Sequence, residues 1–98
     1  MARTKNPNIA VTEVRIFLLD KPVGNLLASA NVCINDSMII TGVKIMKGKG
    51  GVWVAFPSIG YKSGRETKYK DVVYFLDKET NEEVSDSIIE AYEDAIKW

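Results

Sequence analysis

From Val14 to Phe56 apolar side chains recur at every second residue, and from Val84 to Ala95 at every third or fourth, so the chain reads as strands followed by a helix. Val14, Ile16 and Leu18 alternate with Glu13, Arg15 and Phe17, the signature of a strand with one buried face. Lys21-Pro22-Val23-Gly24-Asn25 is rich in turn formers and predicts a hairpin connection. In the next strand, Leu26 to Asn35, the alternation places Ala28, Ala30, Val32 and Ile34 together, before the side-chain acceptors of Asn35-Asp36-Ser37 offer another turn. A third strand follows, with Ile39, Thr41, Val43 and Ile45 on one face and Met38, Ile40, Lys44 and Met46 on the other. Gly48-Lys49-Gly50-Gly51 supplies the positive-φ positions of a tight reversal. Val52, Val54 and Phe56 then alternate with Trp53 and Ala55 until Pro57, which cannot donate to a ladder, stops the strand.

Beyond Pro57 the pattern lapses. Ser58 to Lys68, with Gly60 and Gly64, predicts a polar loop, longer than a minimal connection and suited to contacting a ligand. Val72 to Leu76 reads as a short apolar strand. Thr80 and Glu83 stand in capping-box spacing, and Val84, Ile88, Ala91, Tyr92 and Ala95 form a helical stripe. Glu82, Glu83, Asp86, Glu90, Glu93 and Asp94 lie largely off that stripe. The order predicts an α+β fold, an antiparallel β-sheet of four to five strands with a C-terminal α-helix packed on it. Residues 1–8 are basic and aperiodic and predict a flexible arm, leaving residues 9–98 as a single domain.

Composition narrows the function by exclusion. With 98 residues and 46% apolar content the chain suits one globular domain. No apolar run approaches the roughly 18 residues that span a bilayer, and MARTKNPN lacks the core of a signal peptide. A cytoplasmic protein with no membrane partner is expected. The single Cys33 forbids an internal disulfide, and its apolar neighbours predict a buried structural thiol. Without histidine, no Ser-His or Cys-His nucleophile and no imidazole metal site can be built. The carboxylates sit mostly on the final helix, where a solvated face is the simpler reading than an acid–base pair. The glycine turn lacks the Gly-Lys-Ser/Thr ending of a phosphate loop and leads into a strand. No catalysis, metal or cofactor is expected.

The charge pattern is more informative than its zero sum. From Lys44 to Lys70 there are seven basic residues (Lys44, Lys47, Lys49, Lys62, Arg65, Lys68, Lys70) against one acid, whereas Asp77 to Trp98 holds eight acids against two lysines. Lys62, Arg65, Lys68 and Lys70 run along the loop and the segment after it, where they can follow a phosphate backbone, with Lys47 and Lys49 at the preceding hairpin tip. Tyr61 and Tyr69 interleave with these cations, either stacking on unpaired bases or packing at the sheet edge. Trp53, among apolar neighbours, reads as core or interface. A different reading gives the acidic helix the working role, docking a basic protein partner and leaving nucleic acid aside.

Several stretches resemble the SpoVG family, the stage V sporulation or septation regulators of bacteria. That family carries a strand ending in isoleucine or valine, a Gly-x-x-Gly turn and an apolar-apolar-Val-Ala-(Met/Phe)-Pro-Ser strand, matched here by Val43-Lys44-Ile45, Gly48, Gly51, and Val52 to Ser58. Val11-Thr12-Glu13-Val14-Arg15 is similar to its Val-Thr-Asp-Val-Arg start, and Leu27-Ala28-Ser29-Ala30 to Ile34 to its Ala-x-Ala-x-Ile/Val strand. Gly64-Arg65 and Lys70-Asp71-Val72 resemble its basic Gly-x-x-x-Asp-Ile/Val segment, and Ile88-Ile89-Glu90-Ala91-Tyr92 its helical ending, with shifted spacing. The resemblance implies a small cytoplasmic bacterial homodimer that binds DNA, and in some members RNA, to regulate gene expression, with a link to septation in spore formers. Carried over by position, the family's basic sites fall on Lys44, the Lys62 to Arg65 loop and Lys70. The family helix usually carries basic residues and many members have a polar tail; here the helix is acidic and the sequence ends at Trp98, which shifts the expected contact onto the loop. Dimerisation has a physical motive too, because Phe17, Leu19, Met38, Ile40, Met46 and Trp53 fall opposite the expected core faces.

Overall fold

A computed structural model of the chain describes residues 9–97; the expected basic arm, residues 1–8, and Trp98 lie outside the described residues. Four strands, β1 (Val11–Val23), β2 (Leu26–Ile34), β3 (Met38–Gly48) and β4 (Gly51–Ala55), form an antiparallel sheet in sequential order. Two further strands, β5 (Ser58–Ser63) and β6 (Glu66–Asp71), form a separate two-stranded sheet, and α1 (Lys78–Ile96) closes the chain. The fold is α+β, with the helix lying over one face of the larger sheet.

The core sits between that face and α1. Ala28, Ala30, Val32 and Ile34 from β2 meet Ile40, Val43 and Ile45 from β3, and Val84, Ile88 and Tyr92 press onto them from the helix. Val14 and Ile16 from β1 and Val52, Val54 and Phe56 from β4 and its end flank the cluster. Leu18, expected beside Val14 and Ile16, is half exposed, because β1 loses its regular register with β2 after the Leu18–Ala28 pair. That irregular stretch carries the strand through Lys21 and Pro22, read from sequence as part of the turn, so that the reversal contracts to Gly24-Asn25 with Gly24 at φ 60°.

A bulge reverses the expected phase of β3. Ala30 pairs with Val43 but Val32 with Ile40, so β3 holds one more residue than β2 between those pairs. Gly42 takes the strain at φ 74°, the left-handed conformation of a glycine bulge. Upstream of it the faces swap: Ile40 is buried at 6% exposure and Ile39 faces out at 62%, the opposite of simple alternation. A second irregularity at Thr12 keeps both Val11 and Val14 against the core. The Thr12 hydroxyl accepts from the Asp36 amide at 3.0 Å and donates to the Cys33 carbonyl at 3.3 Å. Asn35 and Asp36 both adopt left-handed backbone, φ 55° and 51°, as a type I′ reversal requires. Ala10 and Asn35 then clasp the chain start to this turn through two 2.8 Å bonds.

Three further expectations need correction beyond Pro57. The polar segment is a β-hairpin, whose base is pinned where the Val72 amide donates to the Pro57 carbonyl at 2.9 Å. Val72 to Leu76 forms no strand; Val73 and Phe75 reach the core from irregular chain, and the Phe75 ring meets Phe56 edge-on at a 5.4 Å centroid distance. The helix cap is Asp77, not Thr80. The Asp77 carboxylate accepts from the Thr80 amide at 2.9 Å and from its buried hydroxyl at 2.8 Å. Those bonds from the Thr80 hydroxyl and amide hold the Asp77 carboxyl below the usual carboxylate range.

Ile40→Ala should destabilise the domain by about 2–5 kcal/mol in urea unfolding, and Gly42→Ala, which forces an L side chain into the left-handed bulge, by more than about 1 kcal/mol. Asp77→Ala should lower the melting temperature by roughly 4–8 °C near neutral pH. Because the folded Asp77 pKa is depressed, its contribution is complete above the unfolded carboxylate pKa of about 3.9 and is lost as pH falls through the folded value. The gap between wild type and variant should therefore stay level from pH 7 to 5 and close only below about pH 4, which thermal melts across pH will read.

Candidate nucleic-acid interface

The β5–β6 hairpin owes its form to pairing alone. Ser58 faces Asp71, Ile59 faces Lys70, Gly60 faces Tyr69, Tyr61 faces Lys68 and Lys62 faces Thr67, before the two-residue Gly64-Arg65 turn with Gly64 at φ 65°. All residues of both strands are exposed, and neither strand packs broadly on another element. The ribbon is thus a projection from the domain, held by its ladder and by its anchored base.

Because residues directly across an antiparallel pair share a face, the register sorts the side chains. Ile59, Tyr61, Lys68 and Lys70 share one face, while Lys62, Thr67 and Tyr69 share the other with Gly60. Arg65 stands at the turn. Tyr69 is 73% exposed and leans on its own hairpin: a Cβ built on Gly60 would lie 3.1 Å from Cε1 of the ring. Tyr61 is 48% exposed and lines a shallow groove with Ile59, Lys70, Asp71 and Val72. Among the described residues, ion pairs join Arg15 to Glu13, Lys78 to Glu82 and Lys97 to Asp94, and none engages a hairpin cation. The Arg15 pKa is raised by its hydrogen bond to Glu13 and by that carboxylate's charge.

Other basic candidates lie apart from this group. Lys47 and Lys49 sit at the β3–β4 tip, which the Lys47 amide fastens to the β1–β2 turn by a 2.8 Å bond to the Asn25 carbonyl. With Pro22, Gly24, Asn25 and Leu27 they line a depression between the two tips. Lys44 projects from the middle of the sheet face away from the helix, in a row with Phe17, Ser29 and Ala55. That outer face also carries Ile39 and Trp53 exposed, with Cys33 half-buried beside Ile39, so Cys33 is not the fully buried thiol its neighbours suggested. Trp53 is not core. Its indole rests on Gly48, where a Cβ would come within 2.9 Å of Cδ1.

Most of the C-terminal acids lie on α1. Glu82, Asp86, Glu90 and Asp94 recur at four-residue spacing along its exposed side. Glu90 and Asp94 border a cleft against Val11 to Val14 of β1. Among the described residues no group of acids and cysteine is arranged to hold a metal ion, and no helix is long and apolar enough to cross a membrane.

A family profile described as SpoVG matches residues 9–94, from the clasped chain start through the hairpin to the last turns of the helix. The chain belongs to the SpoVG family. Relatives whose names include both septation protein and SpoVG support the assignment. The Archaeoglobus fulgidus protein is 31% identical over 86% of this chain and 94% of its own length. The Bdellovibrio bacteriovorus protein is 30% identical over 89% and 76%, and that of Caldicellulosiruptor bescii 30% over 88% and 93%. The SpoVG match spans both the helix-covered sheet and the projecting hairpin.

Gly48→Ala should push the Trp53 indole off its seat and shift its emission, measured in a Trp98→Phe background so that one tryptophan reports. An unchanged spectrum would rule out the contact.

Proposed function

We propose that this SpoVG chain is a non-catalytic homodimeric regulator that binds nucleic acid through the β5–β6 hairpin. The observation that supports it is the exposure of Lys62, Arg65, Lys68 and Lys70 on a ribbon where no carboxylate pairs with them among the described residues. Four unpaired cations on a narrow projection attract polyanions in a protein of zero net charge, and each that meets a phosphate releases counterions. Lys47 and Lys49 extend the contact at a second tip, whereas Lys44 belongs to the outer sheet face. The apolar members of that face, Phe17, Ile39 and Trp53, give it a reason to pair with a second copy, and two copies would present two hairpins. The names of the relatives point to septation as the process served.

The regular acidic ridge of Glu82, Asp86 and Glu90 favours one other reading, a module that docks a basic protein partner. Reversing those three charges without weakening partner capture would count against it.

Fluorescence anisotropy across a salt series, on protein of known mass, tests the main proposal. Binding should weaken steeply with salt, with roughly 0.7–0.9 of log–log slope for each phosphate neutralised. Replacing Lys62, Arg65, Lys68 and Lys70 by glutamine should abolish binding and leave the melting temperature and dimer mass unchanged. Undiminished affinity in that variant would remove the hairpin from the interface.

A further inference from the structure

We propose that the β5–β6 hairpin takes single-stranded nucleic acid, with Tyr61 and Tyr69 each stacking on an unpaired base and Lys62, Lys68 and Lys70 holding the flanking phosphates. The inference rests on the nucleic-acid reading above and narrows it to one class of ligand.

Placement carries it. The register puts an exposed phenol beside a cation on each face of the ribbon, Tyr61 directly across from Lys68, and Tyr69 on the same face as Lys62. Buried tyrosines usually find a partner for the hydroxyl and a packed environment for the ring. These two are 48% and 73% exposed, and neither hydroxyl has a hydrogen-bond partner among the described residues. Tyr69 is also steadied: the missing side chain of Gly60 leaves room for one edge of its ring, while most of the ring stays open to solvent. A side chain held at one edge and bare elsewhere loses little freedom when a base stacks on it.

The ligand class follows from what each nucleic acid exposes. Within a duplex the base faces are covered by their neighbours and only edges reach the grooves, so a phenol finds no face to stack on. A single strand splays its bases, and stacking on aromatic rings with cations along the backbone is the general solution for binding it. Lys68 and Lys70 lie on one face two residues apart, about 6.7 Å along the strand, a spacing suited to successive phosphates of an extended chain. Glu66 and Asp71, one on each face, oppose the alternative of a ribbon sunk between the two phosphate walls of a groove.

The test uses the wild-type protein and labelled oligonucleotides of about 12 residues: a single strand, its duplex, and the same strand with alternate bases removed. The single strand should bind more tightly than the duplex, and the abasic strand, which keeps every phosphate, at least tenfold more weakly than the intact one. Tyr61→Leu with Tyr69→Leu should lose roughly 5- to 150-fold per ring, whereas Tyr61→Phe with Tyr69→Phe should retain affinity, since the ring rather than the hydroxyl stacks. Equal affinity for intact and abasic strands, or an unimpaired leucine variant, would overturn stacking and leave phosphate binding standing. A duplex preferred over the single strand would overturn it in favour of a groove-bound ribbon. No binding to any of the three at low salt would overturn this inference and the broader reading together.

Discussion

The burial of Val84, Ile88 and Tyr92 in one core with the apolar face of β2 and β3 sets the terms for everything else in the molecule. Ala28 and Ala30 are fully buried there together with Val32, Val43 and Ile45. A single helix covers one face only. Each of the four strands of the larger sheet must therefore present apolar positions to that face, and the departures from regular pairing preserve this. The Thr12 irregularity keeps Val11 and Val14 on the helix side, and the Gly42 bulge brings Ile40 there after Val43. The same requirement governs the approach to the helix. Phe75 locks against Phe56 and Val73 reaches the core, so the chain between hairpin and helix is held by packing rather than by a ladder.

How much of this was legible depended on whether a segment had one buried face. β2, buried on one face at every second residue, could be read directly, as could the β3–β4 reversal ended by Pro57 and the Val84-Ile88-Tyr92 stripe. β3 could be recognised as a strand but not phased, because one added residue at Gly42 inverts the faces upstream, where Met38, Ile39 and Ile40 are apolar at consecutive positions. β5–β6 left no period-two signal, since neither face is buried and polar residues occupy both. Val72 to Leu76 has strand composition but lacks a neighbour to pair with. At the helix start, both Asp77 and Thr80 are good cap residues; burial of Thr80 within the first turn decides for Asp77.

For the candidate site, residue types were legible and grouping was not. Lys62, Arg65, Lys68 and Lys70, expected along a loop and the segment after it, fall on one hairpin, which divides them between two faces and a turn. Lys44, brought in by family resemblance, stands on the outer sheet face beside Phe17 and Ala55, because its strand neighbours Val43 and Ile45 claim the core. Only pairing register separates these environments, and register is a property of two strands at once. The opposed charges follow the same division: cations on a projection that adds nothing to the core, acids on the solvent side of the helix that completes it.

That division has a consequence for how such a chain changes over time. The hairpin lends no side chain to the helix–sheet core and is tied to the domain at its base by the Pro57 carbonyl. Substitutions on it, and changes in its length, can accumulate with little effect on whether the protein folds. The exposed side chains of the ribbon are thus disjoint from those that hold the domain together. A ribbon in that position is free to diverge in chemistry from one lineage to the next while the domain carrying it stays recognisably the same.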